Sequence, residues 1–321
     1  MQSVRGPRLV LDGVSFHIDR GETLGLVGES GSGKSTTARA LLADLPVNAE
    51  IGGQALVDGR DVLTMAPRDL AQLRSRTIAM IGQNPRAAMN PVRRVGDFAM
   101  EALRTNFGMT KTEARERIVP LLAEVGLNSP ETLLGQYPHQ LSGGMLQRVV
   151  IATALATGPA LIIADEPTSA LDTLSQADVI GILNRLRSNH DVAMLFITHD
   201  LDLAASVCDR TAVMYAGRIV ESQSSHRLLT RPQHPYSAGL ASARVRVDVD
   251  IERLTAIPGR PVAAFDRPAH GCPFAPRCAF AQDKCLAESP TLVETKAGSV
   301  ECWRHEEIEA MSLPSAVRIT G

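Results

Sequence analysis

Apolar and polar positions along the chain follow two rhythms. Glu22 to Val27, Ala160 to Ala164 and Val192 to Ile197 are short, nearly unbroken apolar runs that end in polar or glycine residues. Runs of this length without alternation predict strands buried on both faces, as in a parallel sheet whose carboxyl ends carry functional residues. The first run passes into a glycine-rich loop and a helix beginning near Lys34, continued by the good helix formers Ala38-Arg-Ala-Leu-Leu42. Between Pro91 and Thr157 the rhythm becomes helical. Thr110 and Glu113 read as a capping box, and Ala114, Ile118, Leu121, Leu122 and Val125 follow at helical spacing. Pro120 interrupts that spacing and predicts a kink or a split helix. A boundary falls near Arg231-Pro-Gln-His-Pro235. Beyond it Pro258, Pro261, Pro268, Pro273, Pro276 and Pro290 alternate with cysteines. Such a tail cannot build a large core, so it needs a metal or a surface to dock against.

Composition narrows the classes. At 321 residues and a net charge of −2, the chain has room for one large or two moderate domains and shows no basic footprint for nucleic acid. No apolar run approaches the ~18 residues of a membrane span. Met1-Gln-Ser-Val-Arg-Gly carries no apolar signal stretch, so a soluble cytoplasmic protein is expected, with membrane association through a partner. Cys208 stands apart, whereas Cys272, Cys278, Cys285 and Cys302 share one C-terminal segment. In a reducing cytosol metal ligation is the better reading of four such thiols. Their spacing lacks the C-x-x-C pairs that zinc favours and suits a [4Fe–4S] cluster at least as well. Zinc, or unligated thiols packed among prolines, stay open, and Trp303 and Phe274 lie close enough in sequence to cover a site.

The chemistry concentrates at strand ends. Gly28-Glu-Ser-Gly-Ser-Gly-Lys34-Ser35 matches the P-loop pattern. In that pattern Gly28, Ser30, Gly31, Ser32 and Gly33 turn backbone N–H groups towards phosphates, and the following helix adds its positive end. Lys34 would reach the β- and γ-phosphates of ATP, and Ser35, followed by Thr36, would ligate Mg²⁺. Asp165, ending an apolar run, would hold Mg²⁺ through water, and Glu166 would orient or deprotonate the attacking water. Read blandly, Asp165-Glu166-Pro167 merely caps a strand. His199, after Leu195-Phe-Ile-Thr198, would donate to the γ-phosphate, although a lone histidine is often structural. Leu141-Ser-Gly-Gly144 precedes a helical segment, with Ser142 as N-cap and Gly143 and Gly144 exposing N–H groups at a positive helix end. It is a second anion site, distant in the chain from the first.

With these segments the chain resembles the ATP-binding-cassette (ABC) family, whose signature is Leu-Ser-Gly-Gly-Gln; Met145 replaces the glutamine. Gln83 in Ile81-Gly-Gln-Asn-Pro, Tyr137-Pro-His-Gln, Ala164-Asp-Glu-Pro-Thr-Ser-Ala-Leu-Asp172, Cys208-Asp-Arg, Val213-Met-Tyr-Ala-Gly-Arg, His234-Pro-Tyr236 and Gly271-Cys-Pro-Phe-Ala-Pro-Arg-Cys278 narrow the likeness. Together they resemble the ATPase subunits of oligopeptide, dipeptide and nickel importers over essentially the whole chain.

The resemblance implies a P-loop NTPase: an ABC nucleotide-binding domain over 1–230, with a mostly parallel core sheet, an antiparallel lobe and a helical subdomain at about 91–157. A cysteine-rich extension over 231–321 would follow, with a cluster in it. It further implies Gln83 at the Mg²⁺ and water region facing the permease, Asp172 at a dimer interface, and Ser142 to Gly144 clamping the γ-phosphate of a partner's ATP. The implied partners are a second, paralogous ATPase subunit, two transmembrane permease subunits and, indirectly, an extracytoplasmic substrate-binding protein. The implied place is the cytoplasmic face of the cell membrane, held there by the permease. Peptides are the leading substrate class.

Gln83-Asn-Pro-Arg-Ala-Ala and Gly-Gly-Met-Leu-Gln-Arg148 also resemble the nickel or metallophore branch. A DNA-repair ATPase is a further rival, but the helical stretch lacks the sustained heptads of its long coiled coils. A regulatory subunit without turnover is another, but Glu166 is present. Family members carry a strand and an adenine-stacking aromatic before Val14-Ser-Phe16. Arg5 falls roughly there and would stack through its guanidinium plane; a truncated gene start explains the gap equally well.

Overall fold

The computed structural model describes residues 8–243 and 257–311. They form two compact units: residues 8–17, 24–37, 198–243 and 257–311 in one, and residues 18–23 and 38–197 in the other.

In the first unit, the strand Thr23–Val27 is buried at every position, as an unbroken apolar run requires. It pairs in parallel with Arg210–Tyr215, from Leu24 opposite Arg210 to Val27 opposite Val213. The chain then reverses through Ala216-Gly217 into the antiparallel strand Arg218–Ser224. Both turn residues have positive φ, 48° and 84°, the pattern that matches the right-handed twist of a hairpin. Gly217 has a second reason to lack a side chain. A Cβ there would lie 1.9 Å from the Val10 carbonyl oxygen. Its N–H donates to the Ser32 carbonyl at 2.8 Å, and its carbonyl accepts the Asp12 N–H at 2.9 Å.

The proline-rich tail docks on this sheet. Gly298–Val300 pairs antiparallel with Arg218–Ser224, and Val293–Thr295 continues the order. Arg218 joins the layers, donating to Glu301 and, at 3.0 Å, to Asp12. The rings of Tyr215 and Tyr236 meet at 4.7 Å, and Phe274 of the tail packs edge-on to Tyr215 at 5.3 Å. Glu221, wholly buried, accepts the N–H groups of Gln233 at 2.7 Å and His234 at 2.9 Å. It thereby fixes the turn into the helix Pro235–Ser242. Burial pushes its carboxyl up to about 7 against those hydrogen bonds.

The second unit holds the parallel strands Ile78–Ile81, Leu161–Asp165 and Ala193–Thr198, with Leu161 between Ile78 and Ala193. The expected helical stretch is present as Val95–Phe107, Lys111–Glu124 and Gly143–Ala156. The Thr110 hydroxyl accepts the Glu113 N–H, and the Glu113 carboxylate accepts the Thr110 N–H at 2.7 Å, a complete capping box. These hydrogen bonds hold the Glu113 carboxyl below its usual range. Ala114, Ile118, Leu122 and Val125 are fully buried. One helix runs through Pro120, so of the two expected outcomes the split does not occur. Pro120 and Glu116, whose carbonyl the ring deprives of a partner, both lie on the exposed face, so water can take the freed acceptor.

Gly217 and Gly59 separate strain from crowding. Gly59 also has positive φ, 75°, but nothing lies within 4 Å of an added Cβ. Gly59→Ala should cost about 1 kcal/mol through left-handed strain alone, and Gly217→Ala at least ~2 kcal/mol more. Equilibrium urea denaturation of both variants checks this; equal losses would mean that Val10 simply moves aside.

Candidate functional site

The strand Thr23–Val27 delivers the chain to Gly28, where a Cβ would stand 2.2 Å from the Met214 carbonyl oxygen. No side chain fits that passage. Gly31 and Gly33 have φ of 81° and 111° and bend the loop back before Lys34 starts the helix Lys34–Leu41. The buried Lys34 ammonium donates to the carbonyls of Gly28 at 2.6 Å and Glu29 at 3.1 Å. Ser32 is buried and its hydroxyl makes no hydrogen bond among the described residues. Ser30, Gly31 and Ser35 are exposed and Thr36 is half-buried. A cation, an orphaned hydroxyl and the first turn of a helix on one loop fit a polyphosphate anion. His199 is exposed just past the strand Ala193–Thr198.

Three groups that sequence reasoning missed support this loop. The Tyr236 hydroxyl accepts the Glu29 N–H at 2.9 Å. The Arg277 guanidinium grips the Glu29 carboxylate with two N–H groups at 2.6 and 3.0 Å. The Ala264 N–H donates to the Gly31 carbonyl at 2.9 Å. The signal available was a lone acid in the glycine loop and a lone base between Pro276 and Cys278. Their pairing, across 248 positions, has no trace in spacing.

In the other unit, the strand Leu161–Asp165 carries the half-buried Asp165 and Glu166 at its carboxyl end. Glu166 has φ 47° and donates its N–H to the Ile197 carbonyl at 2.9 Å. Its carboxylate accepts the Gln83 side-chain amide at 3.3 Å. Gln83, exposed after the strand Ile78–Ile81, is thus brought to the residue expected to handle water.

The signature segment lies in the same unit. The Ser142 hydroxyl accepts the Met145 N–H at 3.2 Å, and Gly143 and Gly144 open the helix Gly143–Ala156. Asp172 caps the helix Thr173–His190, accepting the Ser175 N–H at 3.0 Å, a bond that holds its carboxyl below the usual range. A Cβ on Gly144 would meet the Ser175 hydroxyl at 3.1 Å, so the two helix starts touch. Arg5 lies outside the described residues.

In the first unit Cys272, Cys278, Cys285 and Cys302 line one small cavity of about 20 Å³, with Phe274, Trp303 and Pro290 among its walls. Cys278 accepts the Phe280 N–H and Cys302 the Arg304 N–H, each at 3.4 Å. Burial pushes the Cys272 thiol up to about 11 and that of Cys302 to about 12. Among the described residues, no group of three or more His, Cys, Asp or Glu is arranged to hold a metal ion. The expected metal centre is therefore unsupported at these four residues. Their side chains surround a space rather than converge on a point. No described helix is long and apolar enough to cross a membrane.

The sequence model described as ABC transporter matches residues 11–169, and that described as oligopeptide/dipeptide transporter, C-terminal region, matches residues 220–285. The chain is 43% identical over 303 residues to the oligopeptide transport ATP-binding protein OppD of Escherichia coli, covering 94% of this chain and 89% of that one. It is 41% identical over 287 residues to the dipeptide transport ATP-binding protein DppD of the same organism, covering 89% and 88%. Among solved structures, CbiO1 of Clostridium perfringens, part of the ABC transporter complex CbiONQ, aligns with a TM-score of 0.61 at 26% identity over 68% of this chain and 83% of that one. The ATP-binding cassette MJ0796, in a dimeric post-hydrolysis state with ADP and Pi, aligns at 0.59 and 27% identity over 67% and 90%. A glycine loop shaped for phosphates, an acidic strand end and these alignments agree: the chain belongs to the ABC transporter family, as an ATP-binding subunit with the oligopeptide/dipeptide-type C-terminal region.

Proposed function

We propose that this chain is the ATP-hydrolysing subunit of an importer for di- and oligopeptides, working as a dimer beneath transmembrane permease partners. The observation that carries this is the joining, in one chain, of the cassette over 11–169 to the peptide-transporter region over 220–285. The first segment gives the engine and the second gives the transporter class. We read 1–230 as the nucleotide-binding domain and 231–321 as the extension. The partner ATPase is a paralogue, a substrate-binding protein delivers cargo from outside, and the assembly sits at the cytoplasmic face of the membrane.

In this mechanism Gly28, Ser30, Gly31, Ser32, Gly33, Lys34, Ser35 and Thr36 hold the phosphates of ATP, and Lys34 answers the charge of its β- and γ-groups. Ser35, Gln83 and Asp165 all offer oxygen donors, the ligand type Mg²⁺ takes, and the ion would neutralise phosphate charge there. Glu166 accepts a proton from the attacking water, and Gln83 keeps that carboxylate oriented. His199 donates to the γ-phosphate. Ser142, Gly143 and Gly144 receive the γ-phosphate of the partner's nucleotide, and Asp172 lies at the seam. ATP stabilises the closed pair because its last phosphate touches both subunits, and cleavage removes that differential affinity.

The extension is read as holding a [4Fe–4S] cluster rather than zinc. Supporting this reading, four thiols share one cavity and backbone N–H groups are directed at two of the sulfurs; a space of about 20 Å³ would have to widen to take the cluster. Held by four deprotonated cysteines, the cluster would cross-link the tail.

Glu166→Gln should leave Mg-ATP binding within about threefold of the parent and lower hydrolysis at least ~100-fold. With Mg-ATP it should also yield a stable dimer with its partner subunit in size-exclusion chromatography. A variant that hydrolyses normally removes Glu166 from the proposed role. Anaerobically purified protein should be brown, with about four iron and four sulfide per chain, and Cys302→Ser should lose both. Folded, colourless, metal-free protein would rule out both ligation models.

A further inference from the structure

Glu29 is an acid inside a loop built for an anion. A carboxylate beside a triphosphate repels it, and a flexible one would also unsettle the backbone whose N–H groups the phosphates use. Arg277 answers both problems. Its side chain is almost completely buried, with only 4% of its surface exposed. On the tail side its Nε donates to the Pro258 carbonyl at 2.8 Å, and its guanidinium stands 5.8 Å from the ring centres of Tyr215 and Phe274. With its remaining edge it presents a two-pronged, charge-assisted grip to Glu29 at 2.6 and 3.0 Å. The Tyr236 hydroxyl meets the backbone of the same residue, accepting its N–H at 2.9 Å. One residue of the loop is therefore held at side chain and main chain by two segments of the C-terminal region.

From this we infer that Arg277 is a positioning residue of the nucleotide site: it neutralises Glu29 within the phosphate loop, so that the C-terminal extension is a working part of ATP binding. The inference rests on the reading of Gly28 to Thr36 as the phosphate loop. It differs from a purely architectural role in one respect. If Arg277 only stabilised the tail, its loss would be indifferent to the charge on Glu29. If it neutralises Glu29, removing that charge restores what its loss costs.

Mg-ATP binding to the purified full chain, measured by titration calorimetry at fixed salt, decides between them. Arg277→Met should raise the Kd about tenfold, Glu29→Gln alone should change it less than about threefold, and the double variant should return to within about threefold of the parent. Weak binding by the double variant equal to that of Arg277→Met overturns the inference, as does parental binding by Arg277→Met. Thermal melting followed by circular dichroism accompanies each variant. Should Arg277→Met fail to fold, Arg277→Gln, whose amide reaches about as far as the Arg277 Nε and so keeps a donor for Pro258 while removing the charge and the grip on Glu29, carries the same comparison. Lys34→Ala separates the two levels. If it binds Mg-ATP normally, the phosphate-loop reading itself fails; if it loses binding while Arg277→Met does not, only the present inference fails.

Discussion

The passage of backbone against backbone at the start of the glycine loop constrains everything built on it. Gly28 runs under the Met214 carbonyl, and Gly217 runs against Val10, each too close for a Cβ. The loop is then tied by main-chain bonds from Gly217 to Ser32 and from Ala264 to Gly31. Such a loop keeps its dipoles aimed before a ligand arrives, so little binding energy is lost in ordering it. The strand Thr23–Val27 is the fixed base of this arrangement, buried on every residue and in register with Arg210–Tyr215.

What could be read from the sequence divides along a physical line. Apolar runs marked the strands Thr23–Val27, Leu161–Asp165 and Ala193–Thr198 within a residue or two, because a strand covered on both faces must be apolar throughout. The capping box at Thr110 was legible because both partners lie within one turn. At Pro120 the split does not occur. Its effect depends on which face the ring occupies, and the spacing of Ala114, Ile118 and Leu122 already placed it opposite the buried side. Short strands such as Leu56–Val57 and Val293–Thr295 carry too few residues for any period to register.

The tail illustrates the harder case. Its composition signalled that it needs outside support, and that support is extensive: a strand added at Arg218–Ser224, Arg218 bridging to Glu301, and aromatic packing of Phe274. None of these contacts has a local signature. The cysteines show the opposite imbalance. Their clustering in sequence was obvious, and they do share a cavity, yet proximity in sequence could not say whether thiols would converge on an ion. Burial keeps Cys272 and Cys302 protonated, so ligating anything there requires replacing thiol protons by metal charge.

The signature segment carries a mechanical implication of its own. Ser142 satisfies the Met145 N–H, which leaves the N–H groups of the glycines before it as the donors at that helix end. Gly144 lies against Ser175, and Ser175 is held by Asp172 at both its N–H and its hydroxyl. A side chain at Gly144 would therefore push on the cap of the helix Thr173–His190. The glycine is needed for packing. Gly144, Ser175 and Asp172 form one continuous line of packing and hydrogen bonding between the two helix starts. Two elements that belong to different motifs in the sequence thus meet in one packed unit, which no spacing along the chain could have indicated.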